Sequence, residues 1–349
     1  MSKKSQKTQK TSIVKVLVTV CVLLVVSIFG GTQVDWTSVL EGGPDAVIEI
    51  VEQLLGGTVI ETDDEDGVDN SDKQTSSGKG QNTTVSEHRY LKDVDGNFEI
   101  YSFYVGQADC TLVICDGKYM LIDAGNNPDG KLIVEQLKSM EIKKIDYLIC
   151  THAHEDHAGG VDDVIKNFAV GKFYIPDSDY TSATYTAVKD AAKNKNLKRT
   201  SPKVGHTFKL GSATCEIMAI DEKNEDPNLT SIVVEVTYGE HKFLFMGDAE
   251  IPNEETRLWN DVDVLKLGHH GSSTSSSEDF MQQVMPEVGL ISAGVDNSYG
   301  HPHDEIIDLL VEYNFDFYRT DMEGTIHLVS NGSEYGIEIL DINLEGNTN

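Results

Sequence analysis

From about residue 94 onward, short apolar runs alternate with segments of helical periodicity. The runs are rich in Val, Ile, Phe and Tyr, which is typical of strands, whereas the helical segments repeat their apolar residues every third or fourth position. The predicted strands are 98–105, 111–115, 119–122, 145–150, 212–219, 231–238, 242–246, 262–267, 288–292 and 324–329. The predicted helices are 131–140, 161–168, 181–194, 249–259, 277–284 and 304–313. This mixture predicts an α/β domain over 94–345, built of layered sheets covered by helices.

The only long apolar stretch lies at the other end of the chain, at 16–29, directly after a lysine-rich segment. Its length falls between that of a signal-peptide core and that of a full membrane span. No clear Ala-x-Ala site follows, which favours an uncleaved anchor with the lysines inside and the later residues outside the cell membrane. Residues 1–31 are therefore predicted to be a cytoplasmic stub and an anchor. The alternative is a cleaved signal and secretion.

Residues 32–93 are predicted to connect this segment to the folded domain. Residues 45–56 have the pattern of one short amphipathic helix. Residues 61–86 are acidic and rich in Ser, Gly, Asn and Thr, so they lack the apolar side chains that a core needs. This composition indicates a disordered tether.

Charge limits the classes of partner that the chain can bind. The formal net charge is −30, and setting aside the five lysines of residues 1–15 leaves −35 on the remainder. Such an acidic body repels polyanions at long range, which argues against tight non-specific binding of nucleic acid through a basic face. A metal site would still attract a phosphate locally, because its ions would be the largest charges nearby.

The five cysteines indicate neither a disulfide framework nor a metal knuckle. They are odd in number, scattered, and mostly placed inside apolar runs: Cys21, Cys110, Cys115, Cys150 and Cys215. No Cys-x-x-Cys pair occurs among them, so buried free thiols are predicted.

One segment carries most of the candidate chemistry. Residues 151–160 place His152, His154, Asp156 and His157 within six positions, on the turn between a predicted strand and a predicted helix. His152 and His154 are two positions apart, so in extended backbone both face one side and can hold one ion. Asp156 and His157 follow the bend and can face a second ion. Imidazole and carboxylate ligands at this density suit zinc, manganese or iron.

Three further strand ends carry histidine or aspartate. The strand 242–246 is followed by Asp248, the strand 262–267 by the pair His269 and His270, and a third strand by His301 and His303. If these strand ends line one edge of a sheet, the four segments form a single metal site. For His301 and His303 a capping turn before helix 304–313 is an open alternative.

Together these segments resemble the metallo-β-lactamase superfamily, and more narrowly the hydrolase domain of ComEC-type DNA-uptake proteins. The resemblance covers about residues 96–341. The segments that carry it are Phe103–Asp109, Leu121–Gly125, His152–His157, Gly247–Asp248, Lys266–Ser272, Asn297–His303 and Arg319–Asp321. One mild departure is Ala108, where the family usually has glycine.

The resemblance implies a four-layer αββα sandwich with two divalent ions, zinc or manganese, at one edge. Asp248 would bridge the two ions, and Asp123 would orient a ligand from behind. Of the adjacent histidines, His270 is favoured as a ligand and His269 is placed near the substrate, but the choice stays open. The implied metal ligands are His152, His154, Asp156, His157, Asp248 and His270.

A departure from the wider superfamily concerns the first ion. Many members supply a third histidine between the first motif and Gly-Asp, but that interval holds only His206 and His241, neither in a suitable context. The segment nearest the expected place is Asn228–Ser231, and Asn228 is expected to contact the substrate or the ligands. Water or substrate would then complete the coordination of the first ion. The missing third histidine also argues against a true β-lactamase.

The predicted function is an extracytoplasmic hydrolase that uses a metal-activated water, with a phosphodiester as the favoured substrate. Asp156 or Asp248 would orient the nucleophile, and His269, His301 or His303 would protonate the leaving oxygen or bind phosphate. The resemblance favours nucleic acid as substrate, whereas the acidic body disfavours it. A cell-wall esterase that removes phosphorylcholine from teichoic acid is an alternative, although choline-binding repeats are missing from the sequence. A degenerate binding module is a second alternative, and no protein partner is indicated.

Overall fold

The structure is a computed structural model that describes residues 92–346. Its strands are β1 (Phe98–Ser102), β2 (Thr111–Cys115), β3 (Lys118–Ile122), β4 (Lys144–Ile149), β5 (Ala169–Tyr174), β6 (Arg199–Thr200), β7 (Thr207–Leu210), β8 (Ala213–Ala219), β9 (Val233–Tyr238), β10 (His241–Phe245), β11 (Val264–Lys266), β12 (Val288–Ile291), β13 (Asp316–Arg319), β14 (Thr325–Ser330) and β15 (Tyr335–Leu340). Its helices are α1 (Gly130–Ser139), α2 (Glu155–Ala158), α3 (Val161–Asn167), α4 (Ala183–Asn194), α5 (Ile251–Glu254), α6 (Glu278–Val284), α7 (Asp304–Glu312) and α8 (Thr320–Glu323).

The strands form two sheets. The first has the order β15-β14-β1-β2-β3-β4-β5-β6, and the second has the order β13-β12-β11-β10-β9-β8-β7. Strands β3 to β6 run parallel to one another, as do β10 to β13, while the remaining neighbours pair antiparallel. Because parallel strands end at the same edge of a sheet, each sheet collects several strand ends at one place.

Side chains alternate across each strand, and this alternation builds three apolar cores. In β3, Leu121 packs toward the helices of the first sheet, whereas its neighbour Met120 packs toward the second sheet. In β10, Phe243 faces the first sheet and Leu244 faces α6 and α7. Three cores between four layers make an αββα sandwich, so the predicted α/β fold with two sheets is confirmed.

Two predicted elements are shorter than the hydrophobic pattern indicated. The strand predicted over 98–105 ends at Ser102, where the chain leaves the sheet and Phe103 N donates to Cys110 O. The helix predicted over 249–259 is only α5, because Trp259 Nε1 donates to the Glu254 carbonyl at 2.7 Å and the chain turns back there. In both segments the apolar pattern of the sequence continues past the end of the element, but the backbone hydrogen bonds of the strand or helix stop there.

Five strands were not predicted: β5, β6, β7, β13 and β15. The case of β5 shows why. Its sequence Ala-Val-Gly-Lys-Phe-Tyr lacks a clear alternation, and Gly171 lies against β4, where a Cβ atom would approach the Asp146 carbonyl oxygen to 2.6 Å. The residue that permits the close approach of the strands also weakens the strand pattern.

The predicted anchor at 16–29, the helix at 45–56 and the tether at 61–86 lie outside the described residues. Within residues 92–346, no helix has the length and apolar character needed to cross a bilayer.

Candidate metal centre

The predicted site residues lie where strands of both sheets end. Asp123 follows β3, and the segment from His152 to His157 follows β4. From the second sheet, Asp248 follows β10, and the pair His269 and His270 follows β11. The ends meet at the rim of the sandwich, around an open cavity of about 590 Å³. The structure therefore brings together side chains that lie more than a hundred positions apart in sequence.

Two groups of side chains in this rim have the spacing of metal ligands. One group contains Asp156, His157, Asp248 and His270, and the other contains His152, His154 and Asp156. In each group the potential ligand atoms lie within 4.8 Å of one another. Asp156 belongs to both groups, although the sequence assigned it to the second ion alone.

The carboxylate of Asp248 faces both groups with different oxygen atoms. Its Oδ1 lies 3.0 Å from His157 Nε2 and 3.7 Å from His270 Nε2. Its Oδ2 lies 3.7 Å from His152 Nε2. An aspartate placed in this way can ligate one ion with each oxygen, which is the arrangement of a bridging ligand in a two-metal site.

Hydrogen bonds fix the ring orientation of two of these histidines. His157 Nδ1 lies 2.8 Å from the Asp123 carboxylate, and His270 Nδ1 lies 3.1 Å from the Ser292 carbonyl oxygen. Because both partners accept, both Nδ1 atoms carry a proton, and Nε2 is the atom that each ring turns toward the site. These Nε2 atoms lie only 3.4 Å apart and face the same Asp248 oxygen. Nε2 atoms that converge on one carboxylate are stable together only when a proton or a cation lies among them, so this donor set fits a divalent ion.

The electrostatics of the site agree with this fit. Burial opposes protonation of His157, but the carboxylates of Asp248, Asp123 and Asp156 together outweigh burial and raise its pKa well above the usual value. Burial also favours the neutral acid at Asp248, yet His157, His270 and His152 hold its pKa well below the usual value. In the absence of an ion, His157 therefore keeps a second proton, which the surrounding carboxylates stabilise. A bound cation would replace that proton.

At His152, burial and the neighbouring His157 lower the pKa well below the usual value, and Asp248 opposes them only in part. The ring is therefore neutral and available as a ligand. Its Nε2 atom lies 3.1 Å from His154 Nδ1, which brings these two rings together as the sequence predicted.

The two adjacent histidines have unequal environments. Both adopt left-handed backbone, with φ of 47° at His269 and 55° at His270, which is unusual for two consecutive non-glycine residues. This turn sends His270 into the buried group, while His269 stays partly exposed at the cavity with Nδ1 3.0 Å from Glu250 Oε1. The geometry places His270 among the potential metal ligands and His269 beside them, with Nε2 3.8 Å from Asp248 Oδ2.

His301 lines the cavity, and a glutamine sets its tautomer. The Gly294 N–H donates to Gln107 Oε1 at 2.9 Å, which turns the amide nitrogen of Gln107 toward His301 Nδ1 at 3.4 Å. Since this nitrogen only donates, His301 Nδ1 accepts and Nε2 carries the proton. Burial and the neighbouring His270, His269 and His303 lower the pKa of His301 to about 4. The neutral ring is a hydrogen-bond donor through Nε2.

His303 does not belong to this group. Its Nδ1 accepts from Ser273 N at 2.9 Å, and its Nε2 donates to the Tyr299 carbonyl at 3.3 Å. Both ring nitrogens thus brace loops at the start of α7, where His303 occupies the N-cap position without a side-chain cap bond. The capping turn that the sequence left open thus agrees with the position of His303 at the helix start, but the ring bonds Ser273 and Tyr299 and does not cap the helix.

The segment that replaces the third histidine lies against the first group. Ser231 Oγ lies 3.4 Å from His152 Nδ1 and accepts from Asp248 N at 3.1 Å. Asn228 lines the cavity, and its buried Oδ1 has no protein hydrogen bond. An unsatisfied oxygen at this place is free to contact a ligand or substrate. His206 and His241 bond elsewhere, to Tyr174 and Ser330 respectively.

Four residues next to the site were not singled out as site residues from the sequence. Gln107 sets His301, Ser231 joins His152 to the Asp248 backbone, and Lys266 pairs with Asp109 beneath the site at 2.8 Å. Gln107, Asp109 and Lys266 lie inside the motif segments that carry the family resemblance, so the motifs could have identified them. For Ser231 the only sequence signal was its place in the Asn228–Ser231 segment.

The motif pattern and the fold match one family. The model of the metallo-beta-lactamase superfamily matches residues 103–295. This range covers more than half of the chain, so the chain belongs to the metallo-beta-lactamase superfamily, and the family prediction is confirmed. Membership supports an enzyme of the hydrolase class with divalent metal ions.

Within that family the chain is similar to competence proteins. It is 31% identical to ComE operon protein 3 of Bacillus subtilis over 201 residues, which cover 56% of this chain and 26% of that protein. It is 29% identical to Recombination protein 2 of Haemophilus influenzae over 240 residues, which cover 66% of this chain and 29% of that protein. The chain thus spans less than a third of the length of these relatives. Among solved structures, the metallo-beta-lactamase fold protein YhfI of Bacillus subtilis matches 68% of this chain and 98% of its own, with a TM-score of 0.45 and 11% identity.

Proposed function

We propose that this protein is a dinuclear metallohydrolase that cleaves phosphodiester bonds, with zinc or manganese as its ions. The observation that carries the proposal is the position of Asp248, whose two oxygens face two separate groups of histidines at the floor of an open cavity. A two-metal site of this kind is suited to in-line displacement at phosphorus, because it holds both the attacking and the leaving oxygen.

Two bound divalent ions would supply Lewis-acid polarisation of the phosphoryl oxygens and lower the pKa of water at the site. The chain itself would orient the substrate. The neutral His301 donates through Nε2 to a non-bridging phosphate oxygen. Asp156, whose side chain stays 30% exposed, accepts a hydrogen bond from the attacking water and so aligns it. His269, partly exposed at the cavity, donates a proton to the leaving oxygen.

The decisive experiment compares the purified chain with its Asp248→Asn variant, using Asp308→Asn as a control because Asp308 is an exposed residue of α7. Bound metal is quantified, and hydrolysis of bis-p-nitrophenyl phosphate, a lactam, single-stranded DNA and p-nitrophenyl phosphorylcholine is followed. About two ions per chain with phosphodiesterase activity, both lost in Asp248→Asn only, would support the proposal.

The substrate panel also separates the alternatives. Cleavage of DNA favours a competence-like nuclease, whereas cleavage confined to the phosphorylcholine ester favours the cell-wall esterase. A chain that retains no metal and turns over nothing would overturn the proposal and leave a binding module.

We also propose that the hydrolase domain acts outside the cytoplasmic membrane, tethered through residues 1–31. Support comes from the lysine-flanked apolar stretch in the sequence. Protease added to intact cells should remove an epitope placed after residue 349. An epitope that resists digestion until the cells are lysed would contradict this location.

A further inference from the structure

An exposed tyrosine continues a series of aromatic rings that leads out of the site. The His270 and His301 rings have centroids 6.1 Å apart and planes 21° apart. The next ring is Tyr299, with its centroid 5.7 Å from that of His301 and a plane angle of 23°. Each ring is thus roughly parallel to the next, from a candidate metal ligand to the cavity mouth. Tyr299 is 68% exposed and lines the cavity.

Hydrogen bonds brace the backbone of the loop that carries Tyr299, and the ring of Tyr299 lies against that of His301. The side chain of Asn297 donates to the carbonyls of Gly294 and His301, and its oxygen accepts from His301 N at 3.0 Å. The Tyr299 carbonyl accepts from His303 Nε2. A large aromatic ring held in place at the rim of a site and left open to solvent is typical of a contact surface.

The charge of the cavity restricts how a nucleotide could be held there. No lysine or arginine lines the cavity among residues 92–346, whereas Glu155 and Glu345 do. A nucleic-acid chain could not gain affinity along its phosphates in such surroundings. Stacking of a base on an aromatic side chain does not depend on charge, and it contributes substantially to binding of single strands.

We propose that Tyr299 is a specificity-determining residue whose exposed face stacks on the nucleobase attached to the scissile phosphodiester. This inference rests on the proposed function, because it assigns the substrate class of the same site. Tyr299 contacts the part of the substrate that does not react. It therefore selects diesters that carry a flat ring on the retained side of the phosphate, over diesters that carry an alkyl or choline group there.

The test compares two substrates with the same leaving group and the same single charge, thymidine 5′-(p-nitrophenyl phosphate) and methyl p-nitrophenyl phosphate. The metal-loaded protein should favour the thymidine ester in kcat/KM by roughly tenfold, mainly through KM. Tyr299→Phe should keep this preference. Tyr299→Leu, similar in size but not aromatic, should abolish most of it. Leu258→Ala, which alters an 86% exposed apolar side chain outside the cavity, serves as the surface control.

Equal losses on both esters in Tyr299→Leu would overturn the inference, since they would indicate a general structural role. An unchanged preference would overturn it too, as would a preference for p-nitrophenyl phosphorylcholine that depends on Tyr299. If neither ester is hydrolysed, the proposed function fails, and calorimetric binding of thymidine 5′-monophosphate against inorganic phosphate then decides. Tighter binding of the nucleotide that Tyr299→Leu removes and Tyr299→Phe retains would support stacking of the base on Tyr299. Equal binding of the nucleotide and of phosphate would reject it.

Discussion

The Nδ1 atom of His157 lies 2.8 Å from the Oδ2 atom of Asp123, and both side chains are fully buried. Asp123 is held in turn by the backbone N–H and the hydroxyl of Thr151, each at 2.7 Å. This chain of bonds fixes which nitrogen of His157 faces Asp248. A carboxylate that orients a histidine ligand from behind is a common feature of metal sites in proteins.

Replacement of Asp123 by asparagine should weaken binding of the ion near His157. Asparagine keeps the size and tolerates the left-handed backbone of this position (φ 59°), but it donates as well as accepts and no longer stabilises one tautomer. We expect an affinity loss of roughly 10- to 100-fold for that ion. Titration against a chromophoric chelator measures the loss, and an unchanged affinity would refute the orienting role.

The adjacent histidines should differ when each is replaced by alanine. His270→Ala removes a buried member of the four-residue group and should release one ion per chain. His269→Ala leaves that group intact, so metal content should persist while kcat falls by about 100-fold, the scale of a lost general acid. Metal analysis combined with steady-state kinetics separates the two outcomes. The opposite pattern would make His269 the ligand.

Beneath the site, Lys266 of β11 and Asp109 form a buried ion pair at 2.8 Å that links the second sheet to the loop after β1. Burial favours the neutral acid at Asp109, but Lys266, His270 and His157 together outweigh burial and hold the pKa of Asp109 below the usual value. Lys266→Met leaves a buried carboxylate without its cation and should lower the free energy of unfolding by about 3–5 kcal/mol.

The double variant Asp109→Asn with Lys266→Met should recover part of that loss, because neither partner then remains charged without the other. Urea denaturation of the metal-free protein supplies all the required values. If both single losses simply add in the double variant, the pair is not coupled and the interpretation fails.

A pH dependence is expected from Asp129, which accepts from Gly346 N at 2.7 Å and from Asn126 N at 2.6 Å. Burial raises the pKa of Asp129 to about 6, and these bonds offset it only in part. The folded state therefore binds a proton more tightly than the unfolded state, in which the pKa is about 3.9. The resulting stability is complete below the unfolded value and is lost as the pH rises to about 6.

Asp129→Asn removes this titration. The free energy of unfolding of wild type should therefore decrease relative to that of the variant as the pH rises from 4 to 6. The difference between the two proteins should stay constant above pH 7. Urea midpoints of both proteins in chelator, which excludes metal binding, provide the measurement. Parallel curves across this range would show that Asp129 titrates normally.

The layers and the ligand-bearing strand ends could be predicted because each depends on a local signal. The β4 strand is mostly apolar, with Ile145, Tyr147, Leu148 and Ile149, and three histidines lie within six residues soon after it. The roles of the individual histidines could not be predicted, because they depend on distant partners. The tautomer of His301 is set by its hydrogen bond with Gln107. The Nδ1 atom of His303 accepts a hydrogen bond from the backbone of Ser273, 30 positions away. Spacing along the chain carries no information on such contacts.

The last described residues of the chain form part of the cavity wall. Leu344 is buried in the core beneath the helices, and its N–H donates to the Tyr104 carbonyl at 2.9 Å. The next residue, Glu345, lines the cavity and accepts from the Tyr104 hydroxyl at 3.3 Å. A carboxylate at this place adds a fixed negative charge beside the path of the substrate.

Glu345→Gln should raise kcat/KM for an oligothymidylate at low salt by roughly fivefold, because two like charges about 4 Å apart in water interact by about 1 kcal/mol. A dinucleoside monophosphate, with one charge, should respond less. The difference between wild type and variant should shrink as ionic strength rises, since the screening length falls to about 8 Å at physiological salt. Glu334→Gln, on the exposed turn between β14 and β15, controls for the loss of one surface charge. Equal gains on both substrates, or gains that persist at high salt, would mean that Glu345 acts on the shape of the wall and not through its charge.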